Sequence, residues 1–268
     1  IFKNTGMTSF DVVRIIKKAS NTKKVGHTGT LDPEASGVLP VCVGKGTKII
    51  DYIMNSDKVY EVEFKLGIKT TTYDLEGEII EEKDPSNLTD DTILLAINSF
   101  IGEYSQIPPM YSALKQNGVR LYELARKGIE VEREGRLIKI INIEDIKIDN
   151  PYVSMKVKCS KGTYIRSLCY DIGDNLGVGA AMTKLKRTKT SKFTEEDSIN
   201  INDINSDNIN DFIISIEDAL DSYDKLVVMK KYSRLLINGV RVFDRRFTKE
   251  DFKLEQLYRV YDEDGIFI

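Results

Sequence analysis

Apolar positions recur along the chain with two periods, and each period predicts an element. Val12, Val13, Ile16 and Ala19 fall on one face of a helix over 9–19, with Ser9 as its expected N-cap and Asp11 in the first turn. From Lys58 to Ile68 the alternation is strict. Tyr60, Val62, Phe64, Leu66 and Ile68 share a face, which predicts a half-buried strand. Val153, Met155, Val157 and Cys159 repeat the pattern over 152–160, with Ser154, Lys156, Lys158 and Ser160 opposite. Thr89 caps a predicted amphipathic helix running to Ile101 and closed by Gly102. Another helix is expected from Thr163, with Ile165, Leu168 and Ile172 inward and Gly177 past its end. The apolar run from Val38 to Val43 predicts a buried strand. Strands and helices are interspersed without regular βαβ spacing, so the pattern predicts an α+β fold.

Two stretches fit neither period. Gly26-His27-Thr28-Gly29-Thr30-Leu31-Asp32-Pro33-Glu34-Ala35-Ser36-Gly37 holds three glycines and a proline in twelve residues, the composition of a shaped loop. Residues 193–224 are rich in Asn, Asp and Ser and predict a connection with one short helix over 215–220. Beyond it, strands are expected over 226–229 and 257–261, with a hairpin turn at Asp262-Glu263-Asp264-Gly265. The expected organisation is a large domain over 1–224, ending in that connection, and a small module over 225–268. The chain begins without Met and stops just inside a return strand, so both ends are expected to be trimmed and the module incomplete.

Composition narrows the chemistry. At 268 residues the chain suits one large domain plus an appendage, and 41% hydrophobic with 30% charged residues is ordinary for a globular protein. A chain of this size builds its core without a disulfide or metal staple. No apolar run is long enough for a membrane helix, and Cys42, Cys159 and Cys169, odd in number and scattered, point to a reducing cytoplasm. His27 is the only histidine, which removes multi-histidine metal sites and leaves catalysis to Asp, Glu, Tyr or Lys. No cofactor motif stands out, and none is expected.

The net charge of −3 hides a division. Residues 193–224 hold ten acids and no Lys or Arg. Residues 156–192 carry nine bases against two acids, and 225–259 carry ten against four. Two basic stretches around an acidic one suit a polyanion held on one face, and equally suit a solvated surface.

Three motif matches fail on inspection. Gly44-Lys45 would need Gly at 39 and Ser or Thr at 46 to form a phosphate loop, and the chain has Leu39 and Gly46. Ser112-Ala113-Leu114-Lys115 lacks the companion motifs of penicillin-binding enzymes. Asp262–Gly265 lacks the alternating ligands of a calcium loop.

The loop survives. Asp32 precedes Pro33, which biases it toward extended backbone, so a short carboxylate is presented among small residues. By composition alone it is as well a tight turn with Asp32 as a capping residue. The longer string Lys24-Val25-Gly26-His27-Thr28-Gly29-Thr30-Leu31-Asp32-Pro33, continuing through Gly37-Val38-Leu39-Pro40-Val41 to Gly44, resembles the signature of the bacterial tRNA pseudouridine-55 synthases, the TruB family. Gly6-Met7-Thr8-Ser9 is similar to the N-terminal motif, with Asn4 where the family usually has Pro after Lys3. Tyr60 with Leu66-Gly67, Thr70, Thr72, Asp74, Glu76 and Gly77 resembles the tyrosine-bearing segment. Pro108–Ala113 and Arg120–Arg126 are similar to the middle region, and Cys159–Leu168 to the arginine motif. The likeness spans roughly 3–190, and the tail resembles a shortened PUA-like RNA-binding module.

The resemblance implies a pseudouridine-synthase fold, with a mixed, largely antiparallel sheet flanked by helices. It implies isomerisation of uridine 55 in the T-loop of tRNA: the N-glycosidic bond breaks, uracil turns, and C5 rejoins the sugar. It makes Asp32 the catalytic carboxylate, with Tyr60 stacking on the base, Arg166 pairing with Asp32, and Tyr164 and Leu185 walling the pocket. His27 would fill the gap left by flipped bases, since chemistry on a stacked base requires extrusion. The implied partner is the T-arm of tRNA, with the protein acting as a cytoplasmic monomer. Two alternatives stay open: an RNA-binding or RNA-folding protein with dispensable catalysis, and a related synthase acting on another RNA.

Overall fold

A computed structural model describes residues 1–268. The main sheet is built from β1 (Phe2–Lys3), β2 (Ser36–Val38), β3 (Lys58–Leu66), β4 (Gly102–Gln106), β5 (Arg136–Asp149), β6 (Tyr152–Cys159), β7 (Ala180–Thr190) and β8 (Phe193–Thr194). The order is β1-β2-β7-β3-β6-β5-β4, with β8 paired to β7. Only β2 and β7 run parallel; every other neighbour is antiparallel. This is the mixed, largely antiparallel sheet of an α+β fold. Its helices are α1 (Ser9–Ala19), α2 (Asp90–Asn98) and α3 (Ile165–Asn175).

The core follows the predicted alternation. Tyr60, Val62, Phe64 and Leu66 of β3, and Val153, Met155, Val157 and Cys159 of β6, are buried. α3 lays Ile165, Leu168, Cys169 and Ile172 inward and packs against β7 and β3. Each apolar side chain removed from water in this way contributes about 1.5–3 kcal/mol.

Several expectations shift by a residue or an element. The cap of α1 is Thr8, whose side chain accepts from the Asp11 amide while Asp11 accepts from the Thr8 amide. Ser9 is thereby freed to point inward, where it bonds the backbone of Leu31. The run 38–43 is not one strand. It divides at Leu39-Pro40 into β2 and a separate strand, Val41–Val43, which pairs with Val25–His27; proline cannot donate to a ladder and marks the break. β3 stops at Leu66 because Gly67 takes φ +84°, and Ile68–Thr70 forms a hairpin with Ile79–Glu82. α2 ends at Asn98, before the expected Ile101. β5 has no counterpart in the sequence prediction. Register shifts at 140/142 and 144/147, with Asp145 at φ +55°, interrupt the alternation that would have shown it.

By its internal packing the chain divides into two compact units, 1–206 and 207–268, and the division falls inside the acidic 193–224 stretch. Within the second unit, β9 (Asp224–Val228) and β10 (Tyr258–Asp262) pair in parallel, and α4 (Lys230–Ile237) follows β9. Leu226, Val228 and Tyr261 are the buried apolar side chains on these strands. The expected turn is present, with the Asp262 amide donating to Ile266 O at 3.0 Å. No helix of the protein is long and apolar enough to cross a membrane.

β2 approaches β7 so closely that only glycine fits at one position. At Gly37, φ is +115° and an added Cβ would sit 2.2 Å from the Arg187 carbonyl oxygen. Gly37→Ala is expected to lower stability by about 3 kcal/mol or more, combining backbone strain with a clash against backbone. Urea unfolding of the variant beside the parent chain measures this.

Candidate active site

Asp32 sits at the tip of the loop between Gly29 and Val38, and that loop is tied down at nearly every turn. The Ser9 hydroxyl donates to Leu31 O and accepts from the Leu31 amide, both at 2.9 Å. Asp32 O accepts the Ala35 amide at 3.1 Å, closing a turn across Pro33-Glu34. The Lys3 ammonium, wholly buried, donates to Pro33 O at 3.0 Å, to Ala35 O at 2.6 Å and to Asn4 O at 2.8 Å. Burial pulls the Lys3 pKa down to about 8, against the pull of nearby Glu34 and Asp32. Three carbonyls give a buried ammonium its full set of acceptors. Asn4, which departs from the family's usual proline, exchanges reciprocal amide bonds with Asn200 at 2.9 and 3.0 Å.

The Asp32 carboxylate meets Arg166, which enters from the first turn of α3. Arg166 Nε lies 3.0 Å from Asp32 Oδ2, and Nη2 donates to Oδ1 at 3.3 Å, a two-point pairing. Nη1 donates to Thr72 O at 3.1 Å and to Asp74 Oδ2 at 3.2 Å, and Nη2 also donates to Tyr111 O at 2.9 Å. Five N–H donors thus meet five acceptors. Arg166 is buried, with a side chain 7% exposed, whereas the Asp32 side chain is 38% exposed. The pair is a fixed cation beneath a presented carboxylate.

Around this pair, Tyr164 is the N-cap residue of α3. Its amide donates to Gln106 Oε1 at 2.8 Å, and its carbonyl accepts from Gln106 Nε2 at 3.1 Å. Burial raises the Tyr164 hydroxyl pKa. Tyr60 and Leu185 lie on adjacent strands facing the same way, Tyr60 opposite Arg187 and Leu185 opposite Val62. Tyr60 is buried, which raises its pKa against the opposing pull of the nearby Arg187 charge. His27 is half-buried, and its Nδ1 accepts from the Gly29 amide at 3.3 Å. The fold therefore joins Asp32 to Arg166 directly, while the charge of buried Arg187 acts on both Tyr60 and His27, and Leu185 is buried on the strand beside Tyr60.

Family models match residues 17–223 of this chain. Residues 17–165 match the N-terminal domain of TruB family pseudouridylate synthases, and residues 166–223 match the C-terminal domain of tRNA pseudouridylate synthase B. The chain belongs to the TruB family. It is 61% identical over its full length to tRNA pseudouridine synthase B of Clostridium perfringens, covering 92% of that protein. It is 58% identical to the Clostridium tetani protein of the same name, over 98% of this chain and 91% of that one. Among solved structures, a Cbf5-Nop10-Gar1 complex aligns over 100% of this chain and 75% of the other, with TM-score 0.75 and 29% identity. The chain is a pseudouridine synthase of this family.

Several residues of the TruB site were not singled out by sequence reasoning. Asp74, Thr72 and Tyr111 complete the shell of Arg166; Asp74 and Thr72 were visible only as parts of a longer string. Lys3 and Ser9 hold the loop. Arg187, 1% exposed, does carry a signal: it stands two residues after inward-facing Leu185, so a charge occupies a core position of a strand. No group of three or more His, Cys, Asp and Glu side chains converges to hold a metal ion.

The basic stretch 156–192 is not the free positive surface its composition suggested. Lys156 pairs with Glu144 at 3.0 Å, Lys184 with Glu63 at 3.2 Å, and Lys186 with Glu61 at 2.9 Å and Glu195 at 3.1 Å. Arg166 and Arg187 are buried. Glu61, Glu63 and Glu144 lie outside any charge count along that window, and Glu195 falls in the acidic stretch that adjoins it.

His27 offers a direct probe because it is the only imidazole. Desolvation lowers its pKa, and the neighbouring Arg187 charge lowers it further. A proton therefore binds the unfolded chain more tightly than the native one. NMR titration is expected to place the His27 midpoint below the ordinary value of about 6.5, and this group's contribution to stability should fall as pH drops through that value.

Proposed function

We propose that this TruB-family synthase isomerises uridine 55 in the T-loop of tRNA, with Asp32 as the catalytic carboxylate. The observation that carries the assignment is the two-point pairing of a 38%-exposed Asp32 with a buried Arg166. The guanidinium directs both carboxylate oxygens, and the remaining lone pairs face outward, where a ribose can approach. In the reaction the N1–C1′ bond breaks, the uracil rotates, and a C5–C1′ bond forms. The proton displaced from C5 leaves to solvent and N1 ends protonated, so no redox partner is required.

Tyr60, Tyr164 and Leu185 wall the uracil pocket, and His27 occupies space opened by the extruded nucleotides. An aromatic wall is worth about 1–3 kcal/mol per stacked base. Phosphate contacts fall to exposed bases. In residues 207–268 these include Lys231, Arg234, Arg241 and Arg245, and this unit serves as a small PUA-like RNA-binding module. A related solved structure is titled as an H/ACA RNP bound to a substrate RNA, which supports a second reading in which another RNA is modified; it is 26% identical to this chain. The 61% identity to a tRNA synthase favours tRNA.

Asp32→Asn is expected to abolish tritium release from tRNA labelled at uridine C5, by at least about a thousandfold, with affinity kept within a few-fold. Asparagine preserves size and one oxygen but is a poor nucleophile and a poor base. Filter binding measures the affinity; substantial tritium release would show that the loop only recognises RNA. Mapping the modified position in unmodified tRNA, beside a ribosomal RNA fragment, separates the two substrates.

Binding should also weaken with salt, by roughly 0.7–0.9 in log–log slope for each phosphate neutralised. An affinity unchanged between low and physiological ionic strength would remove the phosphate contacts from the proposal.

A further inference from the structure

Arg187 is the largest fully buried side chain of the protein and plays no part in the pairing of Asp32 with Arg166. A buried guanidinium must satisfy its donors, and the acceptors chosen here stand at the two ends of one loop. Nε donates to Val38 O at 2.8 Å, at the far end of the Asp32 loop. Nη2 donates to Gly29 O at 3.1 Å, at the near end of the same loop. On the neighbouring strand, burial raises the pKa of the Tyr60 phenol and the guanidinium charge pulls it down against that effect. The backbone of Arg187 is engaged too, because it pairs with Gly37 across the parallel β2–β7 contact and with Tyr60 across the antiparallel β7–β3 contact. One residue therefore clamps both ends of the loop that carries Asp32 and ties that loop to the strand that carries Tyr60.

We infer that Arg187 is a positioning residue that sets the distance and angle between the Asp32 loop and the Tyr60 strand, acting through those two groups without touching the substrate. The inference rests on the proposed role of Asp32. The geometry gives the clamp its specificity. A planar fork reaches Val38 O and Gly29 O at once, whereas a lysine ammonium in the same place is a point charge on a flexible stem. Charge alone is thus insufficient, and the fork shape is what the site uses.

The experiment compares Arg187→Lys and Arg187→Met with the parent enzyme. Tritium release from C5-labelled tRNA gives kcat and KM, and thermal unfolding reports the fold. Positioning predicts that kcat falls at least about 10-fold in Arg187→Lys and further in Arg187→Met, while KM for tRNA stays within about 3-fold; misplacements near 1 Å cost up to about 100-fold. Arg187→Lys decides the matter if Arg187→Met does not fold. A cooperatively folding Arg187→Lys with kcat within about 3-fold of the parent overturns the inference. So does a rise in KM at unchanged kcat, which would make Arg187 an RNA-binding group. Failure of Arg187→Lys to fold overturns it as well, since the residue would then hold the fold and not the site. Absence of release by the parent enzyme is the distinct failure, because it removes the proposed function and the inference with it.

Discussion

A guanidinium taken out of water must find an acceptor for each of its five N–H groups, and at Arg166 that requirement assembles the site. The acceptors come from the Asp32 carboxylate, the Thr72 carbonyl, the Asp74 carboxylate and the Tyr111 carbonyl, four groups from three loops distant in sequence. Of these loops only the one carrying Asp74 is also tied to the main sheet at the contact point, by a single bridge to Met182. Moving any one away leaves a buried charge partly unsatisfied, and removing one partner of a buried pair costs about 3–5 kcal/mol. The electrostatic demand of one side chain thus becomes a geometric constraint on four segments, counting the helix that carries it.

The Asp32 loop is held from its other side by separate means. Lys3 takes the carbonyls just past Asp32, Ser9 the backbone just before it, and Arg187 the two ends. These contacts reach backbone atoms, so they fix where the loop runs whatever its side chains are, and they leave the Asp32 carboxylate free for Arg166. A loop without secondary structure acquires the precision of a strand in this way, and a reacting group must be held to about that precision to gain from preorganisation.

What the sequence showed and what it hid follow from range. The strands β3 and β6 and the helix α1 were legible because their burial repeats with a fixed period. β5 was not, because two register shifts and Asp145 at positive φ break the repeat. Asp32 stood out as a presented carboxylate, but only the family resemblance separated it from an ordinary turn, since Arg166 lies 134 residues away. The basic stretch misled for the same reason: its ion-pair partners, such as Glu61, Glu63 and Glu144, belong to neighbouring strands that no single window contains. Arg187 could have been found earlier. A charge at an inward position of an alternating strand is costly unless it is hydrogen-bonded, so its presence announces partners.

The arrangement also distinguishes between its two carboxylates. Asp32 and Asp74 both bind Arg166, and chemistry on a ribose needs one of them open. Asp74 is 16% exposed, and its Oδ1 accepts from the Thr72 hydroxyl and the Glu76 amide while Oδ2 faces Arg166. Its acceptor directions are taken up inside the turn. Asp32 is more than twice as exposed, and its carboxylate makes contact with Arg166 alone. One carboxylate therefore completes the support of the guanidinium, and the other keeps lone pairs that are open to solvent and to a bound substrate. The same cation holds both; the hydrogen bonds made by the Thr72–Glu76 turn, and absent from the Asp32 loop, leave Asp32 the more open of the two, which supports its proposed role.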